Sequence, residues 1–183
     1  MSESTIFPTR PSSPLPVTDS PGSSSEQFLR CLLGSDMLAL LPVSQVTEVL
    51  KIPAGQITPI PHLPAWVMGV YNWRGDVLWM VDLGHLLGLT PWYQQSVSLS
   101  ICTAMVLHPA GKTTSGSDRQ VMGLAVTQVQ DIEWCDPACI QVPPPTAVQS
   151  ELTPFLRGYW LKPNGEMLSC LDGNVILSAM PKG

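Results

Sequence analysis

Gly69-Val70-Tyr71-Asn72-Trp73-Arg74-Gly75-Asp76-Val77-Leu78-Trp79-Met80-Val81-Asp82-Leu83 decides the fold, because the chain writes this stretch twice. Its echo is Gly158-Tyr159-Trp160-Leu161-Lys162-Pro163-Asn164-Gly165-Glu166-Met167-Leu168-Ser169-Cys170-Leu171-Asp172. Each copy reads as a strand opened by glycine, a tight glycine-containing turn, a second strand ending in aspartate, and a short helix. The opening glycines are 89 residues apart (69 to 158) and the closing aspartates 90 (82 to 172), so the two turns differ by one residue. Further upstream, Ser44-Gln45-Val46-Thr47-Glu48-Val49 is echoed by Thr127-Gln128-Val129-Gln130-Asp131-Ile132. Periods of roughly 20–50 residues mark solenoids and propellers, whereas one repeat of about 85 marks duplicated halves of a single domain.

Composition narrows the class. The chain has 183 residues, enough for one ordinary domain or two small ones. Each half alone is near the size at which a single core is marginal, so the halves are expected to share an interface. Charged residues make up 13%, about half the usual 25% of soluble domains, which leaves apolar surface for partners. A net charge of −5 opposes binding to a phosphate backbone. No apolar run approaches the ~18 residues that a membrane span needs. The start also lacks a basic-then-apolar leader, so a soluble, cytoplasmic protein is expected. Five cysteines, at 31, 102, 135, 139 and 170, do not pair into a disulfide framework and read as reduced structural thiols. Cys135 and Cys139 lack the second ligand pair of a closed zinc site.

Residues 1–26 are almost entirely Ser, Thr and Pro and read as a disordered tail. A first hairpin is expected over 28–41 around Gly34-Ser35-Asp36. Val43, Val46, Val49 and Leu50 then suggest a short helical turn. Prolines at 53, 59, 61 and 64 enforce an extended connection to the quoted hairpin and its short helix, 83–87, which Gly88 ends. In the second half, 101–107 and 121–126 read as strands around a Gly/Ser/Thr loop at 109–119. A strand is expected over 131–142, followed by a stiff Pro143-Pro144-Pro145 bridge. The hairpin echo spans 156–171, and a second short helix 175–177. Short strands with turns every 8–12 residues or so indicate an all-β barrel or sandwich with short helices.

Chemistry is sparse. Gly111-Lys112-Thr113 lacks the upstream glycine of a phosphate loop, Val106 standing in its place, and it joins two strands instead of opening a helix. His62, His85 and His108 are far apart and fit no ligand spacing, and no Gly-x-Ser-x-Gly elbow exists. No catalytic, cofactor or metal residue is assigned, and no enzyme is expected. Arg74 stands out at a hairpin tip in an otherwise uncharged run, flanked by Tyr71, Trp73 and Trp79. It reads either as a brace for its own turn or as an anchor for a partner, since Arg and aromatics are enriched at binding hot spots. Asp82 and Asp172 read as helix caps.

The run Gly69-x-x-Asn72-x-Arg74-Gly75, followed by Val77-Leu78-x-x-Val81-Asp82-Leu83, resembles the hallmark of CheW-like domains. Val46-x-Glu48-Val49 upstream and Met122-Gly123-Leu124-Ala125-Val126-Thr127-Gln128-Val129 downstream follow the same order. The similarity runs from about 28 to 177. It implies two small five-stranded β-barrel subdomains packed together in one domain over 27–180, with interleaved halves of roughly 27–95 and 96–180. It also implies a non-enzymatic adaptor that couples the cytoplasmic tips of chemoreceptors to the regulatory domain of a CheA-type histidine kinase. Such a protein would serve a chemotaxis, phototaxis or pilus-motility pathway and sit at membrane-bound receptor arrays without inserting into the membrane. The partner-facing residues it implies are Arg74 with Asn72, and Val46, Glu48 and Val49; Trp73 joins them from its place in the motif. Trp73 stands where leucine is usual, Trp79 where proline is usual, and Thr127 where aspartate is common. The competing reading is a β-barrel that binds single-stranded nucleic acid by aromatic stacking, opposed by only nine Lys and Arg in the chain.

Overall fold

A computed structural model describes residues 25–95, 100–111, 121–144 and 148–180. All but the last two residues of the expected tail at 1–26 lie outside the described residues, as do most of the expected loop at 109–119 and Pro145.

The described residues form ten strands and two short helices. In order they are β1 Glu26–Leu33, β2 Met37–Pro42, β3 Val46–Pro53, β4 Val67–Trp73, β5 Asp76–Asp82, α1 Leu83–Leu86, β6 Ile101–Leu107, β7 Met122–Val126, β8 Gln128–Cys135, β9 Leu156–Leu161, β10 Met167–Leu171 and α2 Gly173–Ser178. They build two five-stranded sheets, β8-β1-β2-β10-β9 and β3-β6-β7-β5-β4. Strands five apart in the chain hold the same place in the two sheets: β6 stands for β1, β7 for β2, and so on to β10 for β5. Each sheet therefore takes two strands from one repeat and three from the other. The exchange is stitched by parallel pairs, β2 with β10 and β5 with β7, within otherwise antiparallel ladders.

The sheets are not closed barrels, and the reason lies in the connections. After β3 the chain makes a 3-10 turn over Ala54–Gln56, and Thr58 then bridges to Val70 of β4, at the far edge of the same sheet. After β8 it makes a turn over Pro137–Cys139, and Gln141 bridges to Tyr159 of β9. Each bridge is a single pair of residues exchanging two backbone bonds of 2.8–2.9 Å. Each sheet thus curls until its edges meet at one point. At both points the neighbour must be glycine. Gly69 has φ +136, and a Cβ there would lie 2.1 Å from the Thr58 carbonyl oxygen; Gly158 has φ +154, and its Cβ would lie 2.6 Å from that of Gln141. These are the two glycines that open the repeated hairpins.

Three cores result. Phe28, Leu40, Cys135, Leu168 and Cys170 fill the interior of the first sheet. Ile52, Leu78, Met80, Cys102, Ala104 and Val106 fill the second. The largest lies between the sheets, where Leu33, Leu41, Val81, Leu83, Met105, Leu107, Leu124 and Leu171 meet. Burying one such Leu or Met stabilises by roughly 1.5–3 kcal/mol, so this shared interface holds the two sheets together.

Two local expectations are corrected. The segment containing Val46 and Val49 is a strand instead of a helical turn; only Val43–Gln45 makes a 3-10 turn. The strand expected over 131–142 starts earlier and ends at Cys135, where Asp136 caps a turn with Pro137 at its start. Asp82 and Asp172 do cap the short helices: Asp82 accepts from the His85 N–H, and Asp172 from those of Asn174 and Val175.

Candidate partner-docking site

The β4–β5 hairpin turns through two residues, with Trp73 paired to Asp76. Arg74 has φ +57 and Gly75 φ +92. Positive φ at both central positions is the type I′ pattern, which Asn-Gly, Asp-Gly and Gly-Gly satisfy without strain. Arginine does not; an L-residue in the left-handed region is disfavoured by roughly 1–2 kcal/mol. The other half of the molecule avoids this. Its hairpin closes through Lys162 N–H to Glu166 O and Gly165 N–H to Lys162 O, and only Gly165 there has positive φ. The extra residue noted between the two turns is what relaxes it.

Around Arg74 the fold assembles residues that are distant in sequence. A β-bulge in β3 leaves Thr47 unpaired between Val46, opposite Leu107, and Glu48, opposite Val106. Leu107 faces the core between the sheets and Val106 the interior of the second sheet. The bulge therefore turns Val46 to the first and Glu48 to the second, where the hairpin tip overhangs it. Trp73 Nε1–H donates to Glu48 Oε1 at 2.7 Å. Arg74 Nη2 donates to Glu48 Oε2 at 3.0 Å and lies 2.8 Å from Oε1. The guanidinium also sits 5.3 Å from the centroid of the Trp73 ring. Asn72 Oδ1 accepts the Gly75 N–H at 3.0 Å and braces the turn.

Of the six residues expected to face a partner, the structure gathers four, Glu48, Asn72, Trp73 and Arg74. Val46 and Val49 lie on the opposite face of β3: Val46 packs against the core between the sheets, and Val49, paired with Met105, is exposed at its edge. Asn72 and Arg74 are the exposed members, Arg74 with 69% of its side chain accessible against 26% for Glu48. Trp73 packs against the core inside its sheet, so its ring is no open platform for stacking a base. Sequence reasoning missed Val77. It pairs with Asn72 near the hairpin tip and is 68% exposed.

The equivalent end of the first sheet is closed differently. Arg30 donates to Glu166 at 2.6 and 2.9 Å, to Gln130 at 2.7 Å and to Glu133 at 3.2 Å. Lys162 donates to Glu133 at 2.8 Å and lies 5.6 Å from the Trp160 ring centroid. Hydrogen bonds from Lys162 and then Arg30 hold the Glu133 carboxyl below its usual range, against the opposing effect of burial. These charges satisfy one another and leave no free arginine. Among the described residues no group of three His, Cys, Asp and Glu side chains is placed to hold a metal, and no helix is long and apolar enough to cross a membrane.

The family model described as the CheW-like domain matches residues 27–180. The chain belongs to the CheW-like domain family. The "Chemotaxis protein CheW" of Rhizobium meliloti (strain 1021) is 37% identical over 115 residues, covering 63% of this chain and 65% of that protein. "Protein FrzA" of Myxococcus xanthus is 41% identical over 62 residues, covering 34% of this chain and 38% of that protein. The chain thus spans less than two thirds of the length of either. The crystal structure of scaffolding protein TtCheW from Thermoanaerobacter tengcongensis superposes with a TM-score of 0.63 at 24% identity, over 81% of this chain and 89% of that one, and shares the CheW-like fold.

Proposed function

We propose that this chain is a non-enzymatic adaptor that couples the cytoplasmic tips of chemoreceptors to the regulatory domain of a CheA-type histidine kinase, in a chemotaxis, phototaxis or pilus-motility pathway. In this reading it works in the cytoplasm, at membrane-bound receptor arrays. Family membership and the chemotaxis protein among its relatives support the pathway. The observation that carries the docking role is Arg74: exposed, charged and held in a backbone conformation that glycine or asparagine would occupy without strain. Strain retained at an exposed side chain that the fold itself does not need is characteristic of binding sites. Arg74 and Asn72, with Glu48 and Trp73 beneath, form the receptor-facing end of the site, and Val77 adds apolar contact. Val46 and Val49 lie on the other face of β3, a separate part of the partner surface.

The test is a calorimetric titration of the chain against the kinase regulatory domain and, separately, the receptor tip of the same organism. Saturable binding of micromolar order to both supports the adaptor. Binding to neither overturns it, and Arg74→Ala is expected to weaken the receptor arm alone.

A further inference from the structure

We infer that Asp76 is the charged anchor of the docking hairpin, and that the partner brings a basic side chain to it, in the role that Arg30 plays in the other half of the molecule. The inference rests on the adaptor reading and adds to it the chemistry of the group recognised.

Equivalent residues of the two halves follow from the register. Arg30 pairs with Leu40, and Leu40 with Cys170; Val106 pairs with Gly123, and Gly123 with Met80. Cys170 and Met80 are 90 apart, as are the aspartates that close the hairpins, so Val106 is the counterpart of Arg30. Glu166 is likewise 90 after Asp76, and Lys162 follows Trp73 by 89, the separation of the opening glycines. Two residues before Arg30 and Val106, Phe28 pairs with Glu133 and Ala104 with Leu50, which makes Leu50 the counterpart of Glu133.

In the first sheet these places hold Arg30, Glu133, Lys162 and Glu166, whose charges pair at 2.6–3.7 Å. In the second they hold Val106, Leu50, Trp73 and Asp76. Val106, Leu50 and Trp73 belong to the apolar core of that sheet. Only the carboxylate is kept, without the cation that answers it in the other half. Asp76 alternates with Leu78 and Met80, both inside the sheet, so it sits at the mouth on that same face, and it is exposed.

The charges around it leave it uncompensated. Arg74 is offset by Glu48, which holds Nη2 at 2.8–3.0 Å. Lys51 of β3 donates to the Thr103 hydroxyl at 2.6 Å. Among the described residues no ion pair reaches Asp76. Two carboxylates and one guanidinium leave the tip one charge negative, so it repels a carboxylate and attracts a guanidinium or ammonium group.

Asp76→Asn removes the charge and keeps the size. In titrations against the receptor tip it is expected to weaken binding about threefold to fivefold at low ionic strength, the upper range for an exposed pair. The loss should shrink as salt rises, because salt screens the parent's binding more than the variant's. Asp76→Lys should lose about tenfold or more. The thermal midpoint of Asp76→Asn should stay near that of the parent. Asp76→Asn binding as tightly as the parent at every salt concentration overturns the inference and leaves the adaptor reading intact. An effect that appears only when Lys112 and Arg119, outside the described residues, are both changed to Gln also overturns it, since the cation then comes from this chain. If the parent binds no receptor tip, the adaptor reading fails, and the free protein decides the chemistry. Arginine amide is titrated into isotopically labelled protein, with citrulline amide as its neutral counterpart. Backbone amide resonances of Asp76 and Val77 should move with arginine amide alone, and stay still in Asp76→Asn. Unmoved resonances there, or equal movement at Asp131, an exposed carboxylate outside the hairpin, refute the anchor.

Discussion

Replacing Arg74 by glycine should leave the protein about as stable as before while abolishing its docking function. The backbone there has φ +57, and glycine removes a left-handed penalty of roughly 1–2 kcal/mol. Against this stand the exposed ion pair to Glu48, worth about 0.5 kcal/mol, and the contact with the Trp73 ring, about 0.5–1 kcal/mol. Glycine also adds freedom to the unfolded chain, a further loss of about 0.5–1 kcal/mol. The sum lies within about 1 kcal/mol of zero. Arg74→Ala loses the same two contacts and keeps the strain, so it should be the less stable variant by about 0.5–1 kcal/mol. With a urea slope near 2 kcal/mol/M, that difference moves the midpoint by about 0.3–0.5 M. Equilibrium urea unfolding of both variants and the parent reads it directly, and the receptor titration is run on the same samples. Both variants should bind equally poorly. An alanine variant more stable than the glycine one would show that the turn carries no strain. A glycine variant that still docks would show that the guanidinium is not the recognised group.

Gly69→Ala and Gly158→Ala should each destabilise by about 3 kcal/mol or more, since a Cβ meets backbone atoms and breaks the two hydrogen bonds of a closing bridge. Gly165→Ala, with open space around its Cβ, should lose only about 1–2 kcal/mol, and equal losses at all three sites in urea unfolding would refute the closure argument. Glu133 has its carboxyl lowered by Lys162 and Arg30, so its contribution to stability is present above the ordinary glutamate value of 4.5 and fades as pH falls through the lower folded value. Glu133→Gln should accordingly be less stable than the parent by a constant margin at neutral pH, with the gap narrowing below about pH 4.5; a gap independent of pH down to the acid transition would contradict this. Burial pushes the thiols of Cys31, Cys102 and Cys170 up to about 12 and that of Cys135 to about 11, leaving Cys139 exposed. One thiol should label rapidly with maleimide at neutral pH and all five after unfolding; two fast thiols in the native protein would be inconsistent with this core.

The hairpins were legible in the sequence because their turns carry the information locally: Arg74-Gly75 and Asn164-Gly165 sit between alternating strands, and Asp82 and Asp172 mark the caps. β3 was not legible. Its apolar residues at 43, 46, 49 and 50 imitate helical spacing, because the bulge at Thr47 breaks the two-residue period that would have revealed a strand. Strand exchange between the repeats left no trace in the residue pattern, and only the family resemblance implied interleaved halves. Two similar halves offer two near-equivalent partners for each hairpin, and only packing between the sheets chooses one. The proximity of Asn72, Trp73 and Arg74 was legible because they are consecutive. The bond from Trp73 to Glu48 spans 25 residues and depends on that same hidden bulge.

Sharing strands between repeats also dictates the order in which the molecule can be made. The second sheet is complete once β7 has emerged, since all its strands lie between Val46 and Val126. The first sheet begins with the earliest strands of the domain, β1 and β2, yet its other members are β8, β9 and β10. Ala39, paired on one side with Cys31 of β1, finds its partner on the other side only at Ser169. During synthesis the inner face of the N-terminal hairpin, with Phe28 and Leu40, must therefore wait for Leu168 and Cys170 of the last hairpin. Contacts so far apart in the chain slow folding. The period in which this protein is open to aggregation and to chaperones is thus set by the translation of its C-terminal third.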